Sequence, residues 1–147
     1  AGYELEKVAR HAVGFVKNPV TRLLIKPGVP EFVSRRAAER CWFDDTRINP
    51  VAVNETNLMW NRMGNIDAAL TLGAATEFPD TAWIKEIKCP TMIVWGKQDE
   101  IVPFAHAAKF HRDIPNNILV EFDSCGHLPM IEQAEKFRLN FIAFLKE

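Results

Sequence analysis

The sequence predicts an α/β fold in which a run of helices precedes a β-α-β-α unit of parallel sheet. Three observations carry that expectation. Two short apolar runs, Thr91-Met92-Ile93-Val94-Trp95 and Ile118-Leu119-Val120-Glu121-Phe122, each stop at a polar turn, as strands of a buried parallel sheet do. Between them Phe104, Ala107, Ala108 and His111 recur at i, i+3, i+4 and i+7, with Pro103 at the tolerated first helical position, so a helix crosses back over the sheet. Ahead of about residue 85 the periodicity is helical.

Taken in order, Leu5, Val8, Ala9, Ala12, Val13 and Val16 form one apolar face from Glu4 to Lys17, and Asn18-Pro19 stops that helix. Lys26-Pro27-Gly28-Val29-Pro30 is a loop, because two prolines around a glycine favour neither helix nor strand. Phe32, Val33, Ala37, Cys41 and Trp42 mark the inner face of a second helix, with Arg35, Arg36, Glu39 and Arg40 turned to water. A third helix begins near Pro50 and carries Val51, Asn54, Leu58 and Trp60 to Met63, until Gly64-Asn65 ends it. Ile66 to Phe78 is a fourth, with Ala69, Leu70, Gly73, Ala74 and Phe78. Beyond the second strand, Met130 to Lys146 is predicted as one amphipathic helix whose Ala134, Phe137, Leu139, Phe141, Ile142, Phe144 and Leu145 need a sheet beneath them. Two strands are too few to supply it, and the first strand has an open edge, so further sheet is expected from another chain or from a second copy.

With 147 residues, the chain is long enough for a domain with a real core, and 48% hydrophobic with 25% charged residues is a globular composition. A net charge of -1 offers no electrostatic footprint for nucleic acid or for an acidic membrane surface. No run of eighteen apolar residues is present and the start lacks the pattern of a signal peptide, so no bilayer span is expected. Cys41, Cys89 and Cys125, odd in number and without a C-x-x-C pair, fit a reducing compartment and a cytoplasmic location. His106 and His111 are five apart, which turns them to different faces of a helix, and no thiol or carboxylate completes a ligand set. Neither a metal nor a cofactor is expected.

Asp99 and His127 lie 28 positions apart, each just past the carboxyl end of a predicted strand. That edge of an open α/β sheet is where ligand sites form. An Asp after a strand ordinarily caps a turn, and a lone His is ordinarily packed or solvated. A carboxylate held against an imidazole has a further use: it fixes the tautomer and supports the imidazolium that forms when His takes a proton from a nucleophile.

GKQDEIVP (Gly96 to Pro103) and GHLPMIEQAEKF (Gly126 to Phe137) resemble the Asp and His segments of the α/β-hydrolase family, in that family's chain order. Ala1-Gly2-Tyr3 is similar to the end of its sixth strand, after which a helical cap is inserted. The resemblance implies the C-terminal part of an α/β-hydrolase, with a helical cap over 1–85 and the last part of the core over 86–147. Asp99 and His127 would then be the acid and base of a Ser-His-Asp triad, and Ile101, Val102 and Leu128 match positions that line the family's pocket, which implies a small apolar substrate. Trp60 and Met63, with Met59, stand open to two readings, as a substrate-facing stripe or as core.

The family's nucleophile precedes both residues, on a G-x-S-x-G turn. This sequence has no such turn: Ser34 sits in a charged helical stretch and Ser124 three residues before His127. Cys125 shares a turn with His127, too close for a nucleophile and its base to point at each other. The nucleophile and oxyanion hole are therefore expected from the N-terminal portion of the hydrolase on another chain. The expected chemistry is acyl transfer to water from an ester, a thioester or an activated carbon-carbon bond. An aspartate nucleophile would instead give a haloalkane dehalogenase, whereas an epoxide hydrolase would need cap tyrosines and the chain has only Tyr3. Outside enzymology, the alternative is a self-associating fragment without a nucleophile.

Overall fold

The computed structural model describes residues 18–25, 27–75 and 82–146. The expected helix over Glu4 to Lys17, the strand end at Ala1-Gly2-Tyr3 and Phe78 lie outside them. The described residues form two compact units, 18–36 with 49–75 and 37–48 with 82–146. These units do not follow a boundary at residue 85, since 37–48 packs with the sheet.

In the helical unit, α1 spans Pro19–Ile25, α2 starts at Glu31 and ends at Cys41 beyond the unit's limit, α3 spans Pro50–Trp60 and α4 Asn65–Ala75. Asn49 caps α3 by accepting from Val51 N at 2.9 Å, and Pro50 takes the first helical position, where a missing N–H costs nothing. The buried residues differ from those expected. Leu70 is buried as expected, but Phe32, Val33, Val51 and Leu58 are exposed, while Ser34 and Val53 are buried. The physical reason is the loop before α2, whose main-chain groups must be paired. Asn57 Nδ2 donates to Val29 O at 2.8 Å and to Ser34 Oγ at 3.0 Å. Asn61 donates to Val29 O at 2.9 Å and accepts from Val29 N at 2.7 Å. Val53, Asn57 and Asn61 recur every fourth residue, so this half-polar stripe faces the loop and the more apolar stripe faces outward.

The sheet unit holds two parallel strands, β1 (Thr91–Gly96) and β2 (Asn117–Phe122), in register from Thr91 opposite Asn117 to Gly96 opposite Phe122. Parallel pairing requires a crossover, supplied by α5 (Ala105–Asp113), which packs on both strands. Pro103 and Phe104 stay outside α5, because His106 and Ala107 first bond back three residues to Pro103 O and Phe104 O. His106 and Ala107 face inward, and Ala108 and His111 outward. Thr91 N donates to Asn116 O, just ahead of β2, and Lys97 N to Phe122 O, so the N–H and C=O groups of Met92 and Val94 run along the opposite edge, which has no partner strand among the described residues.

The final segment is two helices, not one: α6 (Pro129–Glu132) and α7 (Ala134–Phe144), broken at Gln133 with φ -132°. The break turns the Glu132 carboxyl into the unit and lets Gln133 Nε2 donate to Asp123 O at 2.6 Å and Ser124 O at 3.2 Å. Leu139, Phe141 and Ile142 of α7 remain exposed. Phe122 is fully buried, with Lys136 Nζ 4.3 Å from its ring centroid. Among the described residues no helix is long and apolar enough to cross a membrane.

The carboxyl ends of the strands approach at Gly96, where an added Cβ would collide with the carbonyl oxygens of Gly126 and Cys125. Both obstacles are main chain, so no side chain can swing aside. Gly96→Ala is expected to cost about 3 kcal/mol, the upper end for overpacking, read as a lowered urea midpoint. An unchanged midpoint would mean that the two turns separate freely.

Candidate active site

The turn after β1 and the turn after β2 are built as one piece. Gln98 N donates to Cys125 O at 3.0 Å, and Gln98 Oε1 accepts from Cys125 N at 3.1 Å. Trp95 Nε1 donates to Val102 O at 3.1 Å, and the indole packs against Phe110 with centroids 5.9 Å apart. Ser124 adopts φ 51°, a left-handed conformation that reverses the chain without a glycine.

Asp99 is held by the chain that follows it. Its Oδ1 accepts from Ile101 N at 2.8 Å and Val102 N at 2.9 Å, and its Oδ2 lies 2.9 Å from His127 Nδ1. The Asp99 side chain is 5% exposed and the His127 ring 37%. A carboxylate accepts and does not donate, so the proton between them belongs to Nδ1 and the lone pair of the imidazole lies on Nε2. The main chain of His127 is anchored separately, with its N–H donating to Cys41 O at 2.8 Å.

Of the other expected site residues, Ile101 and Val102 meet Asp99 through their main-chain N–H groups; the Ile101 side chain is exposed and that of Val102 half-buried. Leu128, beside His127, is half-buried. Trp60 and Met63 belong to the helical unit. Trp60 lines an open depression of about 460 Å³ with Thr56, Met59, Asn65 and Ala68, while Met63 borders a different one. Among the described residues no group of three His, Cys, Asp or Glu side chains is arranged to hold a metal ion.

Two participants were not visible in the sequence. Glu132 is buried at 4% exposure and binds the turn that carries His127. Its only sequence signal is a carboxylate directly after Pro129-Met130-Ile131, inside a stretch otherwise read as amphipathic. The main chain at Cys41 to Phe43 also meets that turn, and main-chain contacts between distant segments leave no sequence trace. Burial first, and then the charge of Asp99, pushes the Cys41 thiol up. Outside the turns, Lys97 pairs with Asp123 at 2.9 Å and Glu121 at 3.1 Å; Asp123, then Glu121, holds the Lys97 ammonium above its ordinary range.

Cys125 is fully buried, and desolvation, followed by the charge of Glu132, pushes its thiol up to about 12 from an ordinary 9.0. The folded chain therefore keeps this proton where the unfolded chain has released it. The stabilisation is complete below pH 9 and is lost as pH rises toward 12. Wild type is expected to lose stability relative to Cys125→Ala over that window in denaturant titrations, and parallel curves would contradict the assignment.

A family model for the alpha/beta hydrolase fold matches residues 18–134. A 2-hydroxy-6-oxononadienedioate/2-hydroxy-6-oxononatrienedioate hydrolase of Pseudomonas putida is 39% identical over 71 residues, 48% of this chain and 25% of that protein. The solved esterase from Thermogutta terrifontis superposes with a TM-score of 0.73 at 22% identity, over 99% of this chain and 53% of that one. The 2-hydroxy-6-oxo-6-phenylhexa-2,4-dienoate hydrolase from Rhodococcus sp. strain RHA1 gives 0.72 at 12% identity, over 100% of this chain and 52% of that one. At those identities the superpositions speak for the fold. The sequence match spans about a quarter of the P. putida relative's length, and the superpositions about half of each solved chain.

Proposed function

The chain belongs to the alpha/beta hydrolase fold family, and on that premise we propose that it supplies the acid and base of a Ser-His-Asp hydrolase whose nucleophile lies on polypeptide upstream of it. The observation that carries this reading is the 2.9 Å contact between Asp99 Oδ2 and His127 Nδ1, with Asp99 locked by two main-chain N–H groups.

His127 Nε2 takes the proton from the upstream serine as its oxygen attacks the substrate carbonyl, then delivers that proton to the leaving group. Water repeats the sequence against the acyl-enzyme and restores the serine. Asp99 keeps Nδ1 protonated and balances the charge on the imidazolium. Upstream main-chain N–H groups hold the oxyanion, and no cofactor takes part. The substrate is a small molecule with an apolar group, met by the side chains of Ile101, Val102 and Leu128. The upstream portion docks along the outer edge of β1, where the main-chain groups of Met92 and Val94 have no partner strand among the described residues. Three free cysteines fit a reducing, cytoplasmic setting. A second reading, favoured by the Pseudomonas putida relative, takes a 2-hydroxy-6-oxo-dienoate in place of an ester.

Combined with an upstream portion bearing a G-x-S-x-G turn, the chain is expected to hydrolyse a p-nitrophenyl ester or 2-hydroxy-6-oxo-6-phenylhexa-2,4-dienoate, and the preferred one separates the two readings. Asp99→Asn should lower kcat by about 10⁴-fold, the scale of removing the group that sets the tautomer. Turnover by this chain alone, or equal rates for wild type and Asp99→Asn, would overturn the proposal.

A further inference from the structure

We infer that Glu132 is a positioning residue, whose buried carboxylate holds the turn carrying His127 and the main chain at Phe43 together, so that the imidazole stays against Asp99. This rests on the role proposed above for His127.

The carboxylate is 4% exposed, and both oxygens are engaged. Oε1 accepts from Gly126 N at 2.8 Å and Leu128 N at 3.4 Å, the residues on either side of His127, and lies 3.7 Å from Cys125 Sγ. Oε2 accepts from Phe43 N at 2.8 Å. Since His127 N itself donates to Cys41 O, all three main-chain N–H groups from Gly126 to Leu128 are bound by acceptors outside the turn. An ion removed from water persists only when donors meet it in full, and here main-chain N–H groups do so.

The contacts are specific to the position of the base. Asp99 is fixed from its own side by Ile101 N and Val102 N, so the remaining freedom in the Asp99–His127 contact lies in the His turn. Glu132 and Cys41 remove it. Gly126 makes the approach possible, because a Cβ there would meet Cys41 O at 2.6 Å and Phe43 N at 2.9 Å. The base is thereby tied to the C-terminal end of α2.

The test is the exchange with water of the His127 Nδ1–H proton, followed by NMR in the 147-residue chain. Glu132→Gln keeps the volume but replaces one acceptor oxygen with a donor, which then faces a main-chain N–H. Exchange is expected to quicken at least tenfold, while protection of the amides in the β1–β2 ladder changes less than twofold. Glu132→Asp retains the charge with a shorter reach and should quicken exchange to a smaller extent. Equal exchange in wild type and Glu132→Gln, or ladder protection lost in step with the imidazole proton, overturns the inference. Should Glu132→Gln fail to fold, unaltered exchange in Glu132→Asp overturns it. With the upstream portion present, Glu132→Gln is expected to lower kcat at least tenfold with KM within twofold. A wild type that hydrolyses nothing would sink the hydrolase reading, while the NMR result still decides the positioning.

Discussion

A carboxylate taken out of water must be met by hydrogen-bond donors on every side, and that requirement shapes the carboxyl ends of both strands. Asp99 meets it with Ile101 N, Val102 N and the His127 ring; Glu132 meets it with Gly126 N, Leu128 N and Phe43 N. Side-chain oxygens bonded to main-chain donors fix loops more firmly than side chains bonded to one another, because fewer rotors must be ordered. The Lys97 pairs with Glu121 and Asp123 lie in solvent, with side chains 34% to 75% exposed, where screening and side-chain entropy leave an ion pair little net stabilisation. They border the turns without setting their geometry.

Close approach of main chain to main chain is the second requirement. Gly96 and Gly126 stand where β1 meets the His turn and where that turn meets the end of α2, and at both positions a side chain would strike backbone. Cys125 fills the space between them as a small, protonated, apolar group. An imidazole held in this way, in the base role proposed for it, needs little reorganisation when a proton is transferred.

The helical unit follows a different logic. Its packed stripe on α3 mixes Val53 with Asn57 and Asn61, because the facing loop presents main-chain groups that an apolar stripe would leave unpaired. Periodicity weighs apolarity alone, so it chose Val51 and Leu58, which are exposed. Ser34, set aside in the sequence as part of a charged stretch, is buried against Asn57 for the same reason.

What the sequence determined by itself were features with local causes. Both strands, the crossover between them and the turns that end them follow from apolar runs, helical spacing and turn residues, and Asp99 and His127 were legible because each sits at a predicted strand end. Register then needed only the crossover. The break at Gln133, the burial of Glu132 and the contact of Cys41 and Phe43 with the His turn belong to the tertiary structure: Phe43 N with Glu132 and His127 N with Cys41 O pair groups more than eighty positions apart, and the Gln133 amide reaches back to Asp123 and Ser124. Such pairing is settled by which groups lose water together, and one-dimensional patterns do not record that.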